Sequence, residues 1–300
     1  LLAPEAERNI ARARAPEPQT MSSSDSISHA ASADDASGGP RRLAIVTGAS
    51  AGIGAAFAER LARDAYDLVL VARRRDRLDA LAERLVRAHE RRVEVLVADL
   101  GSDDGVRVVE ARIAAEPSLE LVVNNAGFGT SGAFVDLDRD AEADEVRLNV
   151  LALLRLTHAA VAAMQPRGHG SVINVSSLAG FQPAPFNATY AATKAFVNSF
   201  TQAVSEELRG TGVRLQLLCP GFTRTEFQEV AGVRTDDLPE FAWMSAEAVV
   251  EISLEALRRG ELLVIPGGGN KVIGALFRAM PSSVARRLGA ALLRRTLAGS

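Results

Sequence analysis

From Arg41 onward the sequence alternates short apolar runs with amphipathic stretches, and no other feature limits the fold so strongly. The apolar runs lie at Leu43 to Thr47, Asp67 to Ala72, Val93 to Ala98, Leu119 to Asn124, Ser171 to Ser176, Val213 to Cys219 and Leu262 to Ile265. Between them fall helical patterns such as Ile53 to Arg63, Asp76 to His89 and Ala141 to Met164. Strands apolar on both faces need cover on both, and helices between successive strands supply it. The pattern therefore predicts an α/β fold, a doubly wound parallel sheet of about seven strands in a single domain. In such a sheet ligands bind beyond the carboxyl ends of the strands, which is where the chain's motifs fall.

The first motif is Thr47-Gly48-Ala49-Ser50-Ala51-Gly52-Ile53-Gly54, between the first strand and the first helix. Glycines there permit a tight turn and close backbone approach, so that free N–H groups and the helix dipole can receive a pyrophosphate. The second strand ends in Ala72 followed by Arg73, Arg74 and Arg75. An acid at this point would suit the ribose 2′-hydroxyl of NAD, whereas a guanidinium suits a 2′-phosphate, so NADP is preferred. Arg73 is the first choice for that contact and Arg74 the second, while Arg75 and Arg77 read as the start of a solvated helix. Asp99, at the end of the third strand, is placed either to accept from an adenine amino group or to cap the helix that begins near Ser102. Asn124-Asn125-Ala126-Gly127 ends the fourth strand with small polar residues suited to passing a ribose. Asn149, between Leu148 and Val150 in an apolar helix, is a buried amide that is either structural or part of a polar relay.

Tyr190 and Lys194 are spaced one helical turn apart, which puts them on one face. A phenol titrates near pH 10, and a neighbouring ammonium would stabilise its anion. Ser177, just past the fifth strand, can bring a hydroxyl beside that phenol. Together the three could hold a carbonyl oxygen, with Ser177 donating a hydrogen bond and Tyr190 the proton.

Composition removes several classes. A single cysteine, Cys219, excludes an intrachain disulfide and leads us to expect a reducing, cytoplasmic setting. A net charge of −3 gives no reason to expect nucleic acid. The four histidines are scattered, and no ligand spacing suggests a metal. Residues 1 to 40, rich in Ala, Ser, Pro and acids, read as a disordered extension with no secretory pattern. We expect Met21 to be the physiological start and residues 1 to 20 to be upstream translation.

Taken together, TGxxxGxG at Thr47 to Gly54, NNAG at Asn124 to Gly127, Ser177 with YxxxK at Tyr190 to Lys194, and Pro220-Gly221 after the sixth strand resemble the short-chain dehydrogenase/reductase family in its single-domain form. The resemblance covers residues 41 to 267 and implies a Rossmann-type sheet and hydride transfer between NADP(H) and a carbonyl or alcohol carbon. It implies Tyr190 as acid/base, Ser177 as the group that polarises the substrate oxygen, and Lys194 as the group that lowers the Tyr190 pKa and holds the nicotinamide ribose. Asn149 would anchor a water that links Lys194 to solvent. It further implies cofactor contacts from Gly48, Ser50, Gly52, Ile53, Gly54, Asp99, Leu100, Asn125, Ala126, Gly127, Pro220, Gly221, Thr223 and Thr225. The position before the second glycine of the turn, often basic in NADP-selective relatives, is Ala51. Selectivity would then rest on Arg73, helped by Ser50 and Arg74, with NAD(H) use left open.

Phe128, Phe181, Phe186, Phe222, Phe227 and Trp243 lie in loops expected to border the nicotinamide, or else pack the core; they suggest an apolar carbonyl or alcohol substrate. Gly221 to Trp243 read as a mobile lid. The segment 271 to 300 is basic and amphipathic; it predicts helices docked on the domain, with peripheral contact to an anionic membrane as the alternative. A homodimer or homotetramer is implied by resemblance, through the helices of Asn149 and Tyr190. A non-catalytic NADP(H) sensor and an epimerase or dehydratase on the same fold are the competing functions. The complete Asn149, Ser177, Tyr190 and Lys194 set argues against the first, and the short C-terminal region against the second.

Overall fold

The computed structural model describes residues 41–227, 243–281, 283–284 and 286–287. The N-terminal extension with Met21, most of the expected lid and the end of the basic C-terminal segment lie outside the described residues. The strands are β1 (Leu43–Thr47), β2 (Asp67–Ala72), β3 (Val93–Val97), β4 (Leu119–Asn124), β5 (Gly170–Val175), β6 (Val213–Leu218) and β7 (Leu263–Val264). The helices are α1 (Gly52–Arg63), α2 (Arg75–His89), α3 (Asp103–Ala114), α4 (Arg139–Val146), α5 (Leu153–Met164), α6 (Ala188–Glu207), α7 (Ala246–Arg258) and α8 (Gly268–Ala279). Every predicted strand is present with its ends within one residue of expectation.

The strands form one parallel sheet in the order β3-β2-β1-β4-β5-β6-β7. Chain order reverses between β1 and β4, so the loops after these two strands diverge and leave a crevice. Both faces are covered. Ala44, Val46, Leu68 and Leu70 pack with Phe57, Leu61 and Leu81 of α1 and α2 and with Val250 of α7. Ile45, Val69 and Val122 pack on the other side with Val109 and Ile113 of α3 and Leu156 and Ala160 of α5. Phe57 and Ile45 are fully buried, and each such side chain contributes about 1.5–3 kcal/mol.

The helix predicted from Ala141 to Met164 has a more complex course. Asp138 caps α4 by accepting from the amides of Asp140 and Ala141 at 2.9 and 2.8 Å. The chain then widens into a π-helical turn over Arg147–Ala152 before α5 resumes. Such turns are costly in isolation and occur where side-chain bonds hold them, here those of Asn149. The continuous helical run Arg139–Arg167 is long and apolar enough to cross a membrane by length and composition, with a mean hydropathy of 1.3 in its most apolar window. Much of that apolarity is spent on the sheet, since Leu153, Leu156, Ala160 and Met164 of α5 are buried.

The expected start of the C-terminal segment, residue 271, falls inside α8. This helix packs back on the domain: a Cβ at Gly274 would lie 2.8 Å from Ile265 and 3.3 Å from Leu178. Gln182 donates to the Met280 carbonyl at 2.9 Å. The first turns of the segment are thus docked, while Val272, Ile273 and Leu276 stay exposed.

A buried polar ladder ties the sheet's centre to its helices. Asn124 Nδ2 donates to Asn174 Oδ1 at 2.9 Å and to Thr157 Oγ1 at 3.1 Å, and Asn174 Nδ2 donates to Thr201 Oγ1 at 3.0 Å. Asn174→Ala would strand these donors and acceptors in the interior and open a cavity. We expect a loss of about 2–4 kcal/mol in chemical denaturation; a loss below about 0.5 kcal/mol would show that the ladder does not hold β4 and β5 to α5 and α6.

Candidate active site

The crevice between β1 and β4 is lined by backbone. Gly48 and Gly52 take left-handed φ values of +65° and +54°, and a Cβ at Gly54 would lie 2.3 Å from the Gly48 carbonyl oxygen. Only glycine allows this turn to fold so tightly against the start of α1. The N-cap of α1, Ala51, makes no side-chain cap bond, and the first turn carries no acid. Its amides therefore face the crevice without a competing anion, a cradle suited to a pyrophosphate. Ile53 packs on the α1 side of the core and helps fix that helix.

The β4 end is fastened to this turn. Thr47 Oγ1 accepts from the amides of Asn125 and Ala126 at 2.9 and 3.0 Å. Asn125 Nδ2 donates to the Thr47 carbonyl at 3.0 Å, so its side chain braces the turn and the backbone of Asn125 to Gly127 faces the crevice. Thr47 was legible only as part of the glycine motif; its bracing role emerges from these bonds. Asp99 does not cap α3: Ser102 does, accepting from Gly105 N at 3.1 Å. Asp99 Oδ1 instead accepts from Gly101 N at 3.0 Å, and Leu100 is buried beneath it.

The two arginines after β2 differ in their contacts. Arg73, the first sequence choice, is exposed and makes no side-chain hydrogen bond or ion pair among the described residues. Arg74 turns to the glycine loop, donating from Nε and Nη2 to Ser50 Oγ at 3.2 and 3.0 Å. Arg74 also pairs with Glu226 at 3.0 Å, and Arg77, read as merely solvated, pairs with the same carboxylate. Arg74 is the N-cap residue of α2, and Arg73 precedes it.

At the far end of the crevice, β5 and the start of α6 bring Ser177, Tyr190 and Lys194 together. Ser177 Oγ caps the short turn Leu178–Phe181 by accepting from Ala179 N at 3.1 Å, and its hydroxyl lies near enough to the Tyr190 phenol to oppose the rise of the phenol's pKa. Ser176 points the other way, donating to Asn198 Oδ1 at 2.6 Å inside the core. Lys194 is buried; its Nζ donates to the Val175 carbonyl at 3.0 Å and lies 5.6 Å from the Tyr190 ring centroid. Asn149 Nδ2 donates to the Phe128 carbonyl at 2.8 Å and to Thr193 Oγ1 at 3.2 Å, and Asn149 Oδ1 accepts from Phe128 N at 3.2 Å. Its side chain thus pins the loop after β4 to α6.

The electrostatics differ from the sequence expectation. Burial pushes the Tyr190 phenol up to about 12, against the Ser177 hydrogen bond and reinforced by the charge of Glu145. Burial also draws Lys194 down to about 8. Burial is the largest influence on both groups and favours the neutral form of each. At neutral pH the phenol is protonated. Cys219, behind the pair, is a neutral thiol pushed up to about 12 by burial.

The aromatic residues divide. Phe227 lies on Tyr190 with ring centroids 5.4 Å apart, and Phe222 pairs with Trp243 at 5.7 Å. Phe181 packs on the core beneath α8. Phe186 takes a left-handed φ of +66° in the loop before α6, and Phe128 is bound through its backbone to Asn149. Thr225 crosses to the glycine turn, where a Cβ at Gly52 would lie 2.9 Å from its methyl group, and its hydroxyl accepts from Phe227 N at 3.2 Å. Thr223 pairs with Met244, and Pro220 accepts from Leu178 N at 3.1 Å, which carries the chain over the end of β6. Gly221 lies against Asn270, where a Cβ would be 2.5 Å from Oδ1. Sequence reasoning missed Glu142 and Glu145, two buried carboxylates on α4. Two acids in a charged, amphipathic stretch carry no signal that distinguishes them from a solvated face.

Comparison with known proteins agrees with this geometry. The short chain dehydrogenase family model matches residues 42–235. A short-chain dehydrogenase from Sphingobium yanoikuyae, solved in complex with NADPH, is 39% identical, covering 75% of this chain and 87% of its own, with a TM-score of 0.72. The bulky-bulky ketone specific alcohol dehydrogenase from Comamonas testosteroni is 36% identical over 80% of this chain and 92% of its own, with a TM-score of 0.71. The very-long-chain 3-oxoacyl-CoA reductase of Homo sapiens is 28% identical over 80% of this chain and 75% of its own. A parallel sheet with its crevice at the β1/β4 reversal, a glycine turn opening α1 and a Ser177, Tyr190 and Lys194 cluster all lie within or beside the matched span, and the chain belongs to the short-chain dehydrogenase/reductase family of NAD(P)(H)-binding oxidoreductases.

Proposed function

We propose that the protein transfers a hydride between NADP(H) and a carbonyl or secondary alcohol on an apolar substrate, with Tyr190 as the acid/base. The observation that carries this reading is the protonated, buried phenol of Tyr190 beside Ser177, with the Lys194 Nζ 5.6 Å from its ring centroid, at the far end of the crevice. The crevice fits such a cofactor: the amides of α1, the left-handed Gly48 and Gly52 and the backbone of Asn125 to Gly127 form a cradle that side chains would fill. When bound there, a nicotinamide supplies or accepts the hydride.

The chain's own groups do the rest. Ser177 orients the substrate oxygen by donating to it. Tyr190 delivers a proton to that oxygen during reduction and removes it during oxidation. Lys194 stabilises the phenolate that reduction leaves behind. Phe227 excludes water from one side of the phenol, which strengthens each of these interactions. Ser50 and Arg74 offer a hydroxyl and a guanidinium to a 2′-phosphate, with Arg77 near enough to share the same anion. The positions immediately after β2 are Arg73, Arg74 and Arg75 and not an acid that could claim a 2′-hydroxyl, which favours NADP(H) over NAD(H). Phe222 and Trp243, together with the ketone and 3-oxoacyl substrates named for the relatives, support a carbonyl between sizeable apolar groups. The reading includes a cytoplasmic homo-oligomer. Val146 and Leu151 are exposed on the helical run that carries Asn149, one of the two elements expected at the interface.

Two variants test this. With NADPH and a panel of bulky aliphatic, steroid and aromatic ketones, Tyr190→Phe should lower kcat by about 10²–10⁴-fold while NADPH binding is retained. Unchanged turnover would remove Tyr190 as the acid/base, and tight NADPH binding without turnover in the wild type would move the assignment toward cofactor sensing. Arg74→Ala should raise KM for NADPH about tenfold or more and leave KM for NADH within about twofold. Equal effects on both cofactors would remove the basis for NADP preference.

A further inference from the structure

One helical turn before Asn149, α4 carries a carboxylate with no solvent exposure, Glu145. Its Oε2 accepts from Thr130 N at 3.1 Å and from Thr130 Oγ1 at 3.0 Å, while Oε1 has no hydrogen-bond partner among the described residues. The same Thr130 hydroxyl also donates to Glu142, and Glu142 has a second donor in the hydroxyl of Thr189. A hydroxyl has one hydrogen and cannot serve two carboxylates at once. Of the two, Glu145 is the more deeply buried and keeps one oxygen without a partner among the described residues. Burial and the nearby Glu142 push Glu145 up to about 7, against the hydrogen bonds from Thr130 and the pull of Lys194.

The loop after β4 joins this carboxylate to the reacting pair. At Gly127 a Cβ would lie 2.8 Å from Asn149 Oδ1 and 3.6 Å from Lys194 Nζ; at Gly129 one would lie 2.8 Å from the Tyr190 ring. At Thr130 the loop is bonded to Glu145. Three consecutive loop contacts thus bring a buried acid, a buried ammonium and a buried phenol to one small, dry region, and Glu145 is within electrostatic reach of both other groups.

We propose that Glu145 is a positioning residue for the Tyr190 proton: its buried charge opposes the field of Lys194 and sets how readily the phenol ionises. The inference rests on reading Tyr190 as the acid/base. Glu145 touches neither substrate nor cofactor and acts through Tyr190 and Lys194. With Glu145 neutral, the ammonium acts on the phenol alone. With Glu145 ionised, its carboxylate favours the ammonium and disfavours a phenolate beside it. The other titratable groups facing this region are Glu142 on the same helix and Cys219 at the end of β6, whose thiol stays neutral.

The chain contains two tyrosines, Tyr66 and Tyr190, so Tyr66→Phe leaves Tyr190 as the sole phenol. In that background a stopped-flow alkaline jump, read by phenolate absorbance before alkaline unfolding, reports the Tyr190 midpoint without substrate or cofactor. Where Tyr190 titrates, Glu145 is fully ionised and Lys194, drawn down to about 8, is neutral, so the midpoint reads the carboxylate's direct effect on the phenol. Adding Glu145→Gln should therefore lower the midpoint by about one pH unit. Glu142→Gln, which removes the outer carboxylate and its Thr189 tie, should shift it by less than half as much. Should the Gln variant fail to fold, Glu145→Leu, which suits a buried helical site, carries the same expectation. A midpoint that stays within about 0.3 unit of the parent, or that moves equally in the Glu142 variant, would overturn the proposal. Because the readout needs no turnover, an absence of ketone reduction would count against the catalytic reading alone.

Discussion

Covering a parallel sheet on both faces leaves its strands no polar outlet except at their ends. The strands from β1 to β6 are largely apolar, with buried exceptions such as Asn174 and Gln216 bonded within the core, so most unpaired amides and titratable groups gather at the carboxyl edge and the loops beyond it. The reversal of chain order between β1 and β4 then parts two of those loops and exposes the uncapped start of α1. Cofactor cradle and reacting pair are consequences of one constraint: where the sheet stops being hydrophobic, the backbone becomes available for binding. Thr47 illustrates the coupling, since its hydroxyl joins the ends of β1 and β4 and also holds the loop that faces the crevice.

That constraint explains what could be read in advance. Strand positions follow from local apolarity, and the glycine turn follows from a local steric need, so both are visible one segment at a time. Which arginine after β2 reaches Ser50 could not be read in advance, because the contact joins segments distant in sequence; Arg74, the N-cap residue of α2, makes it. The π turn around Asn149 was invisible for a similar reason. Its origin is a pair of bonds to the Phe128 backbone, distant in sequence, and the hydrophobic period across Arg147–Ala152 does not announce them. Glu142 and Glu145 were hidden by composition: in a stretch of alternating charges, burial is decided by which loop happens to cover the helix.

The reacting pair shows why spacing alone could not give its electrostatics. One helical turn between Tyr190 and Lys194 suggests that an ammonium stabilises a phenolate. In the folded chain both groups are desolvated, and desolvation favours the neutral form of each, raising the phenol and lowering the amine. The ammonium also spends a hydrogen bond on the Val175 carbonyl. Without cofactor the site therefore rests as a protonated acid beside a weakly held cation, a state suited to giving a proton to a carbonyl oxygen.

The cofactor end of the crevice follows the opposite rule, because it is wet. Arg74, Arg77 and Glu226 form ion pairs among half-exposed side chains, where solvent screening leaves each pair little net strength. On the NADP(H) reading, a 2′-phosphate brings a larger charge and more acceptor oxygens than a carboxylate, and it arrives with an adenosine anchored elsewhere in the crevice. Exchange of Glu226 for phosphate then favours the phosphate, because the arginines surrender weak contacts for stronger ones. Glu226 follows Thr225, which lies against Gly52. Residues 225 to 227 thus run from the glycine turn, through the Thr225 contact with Gly52, to the ring of Tyr190, through Phe227.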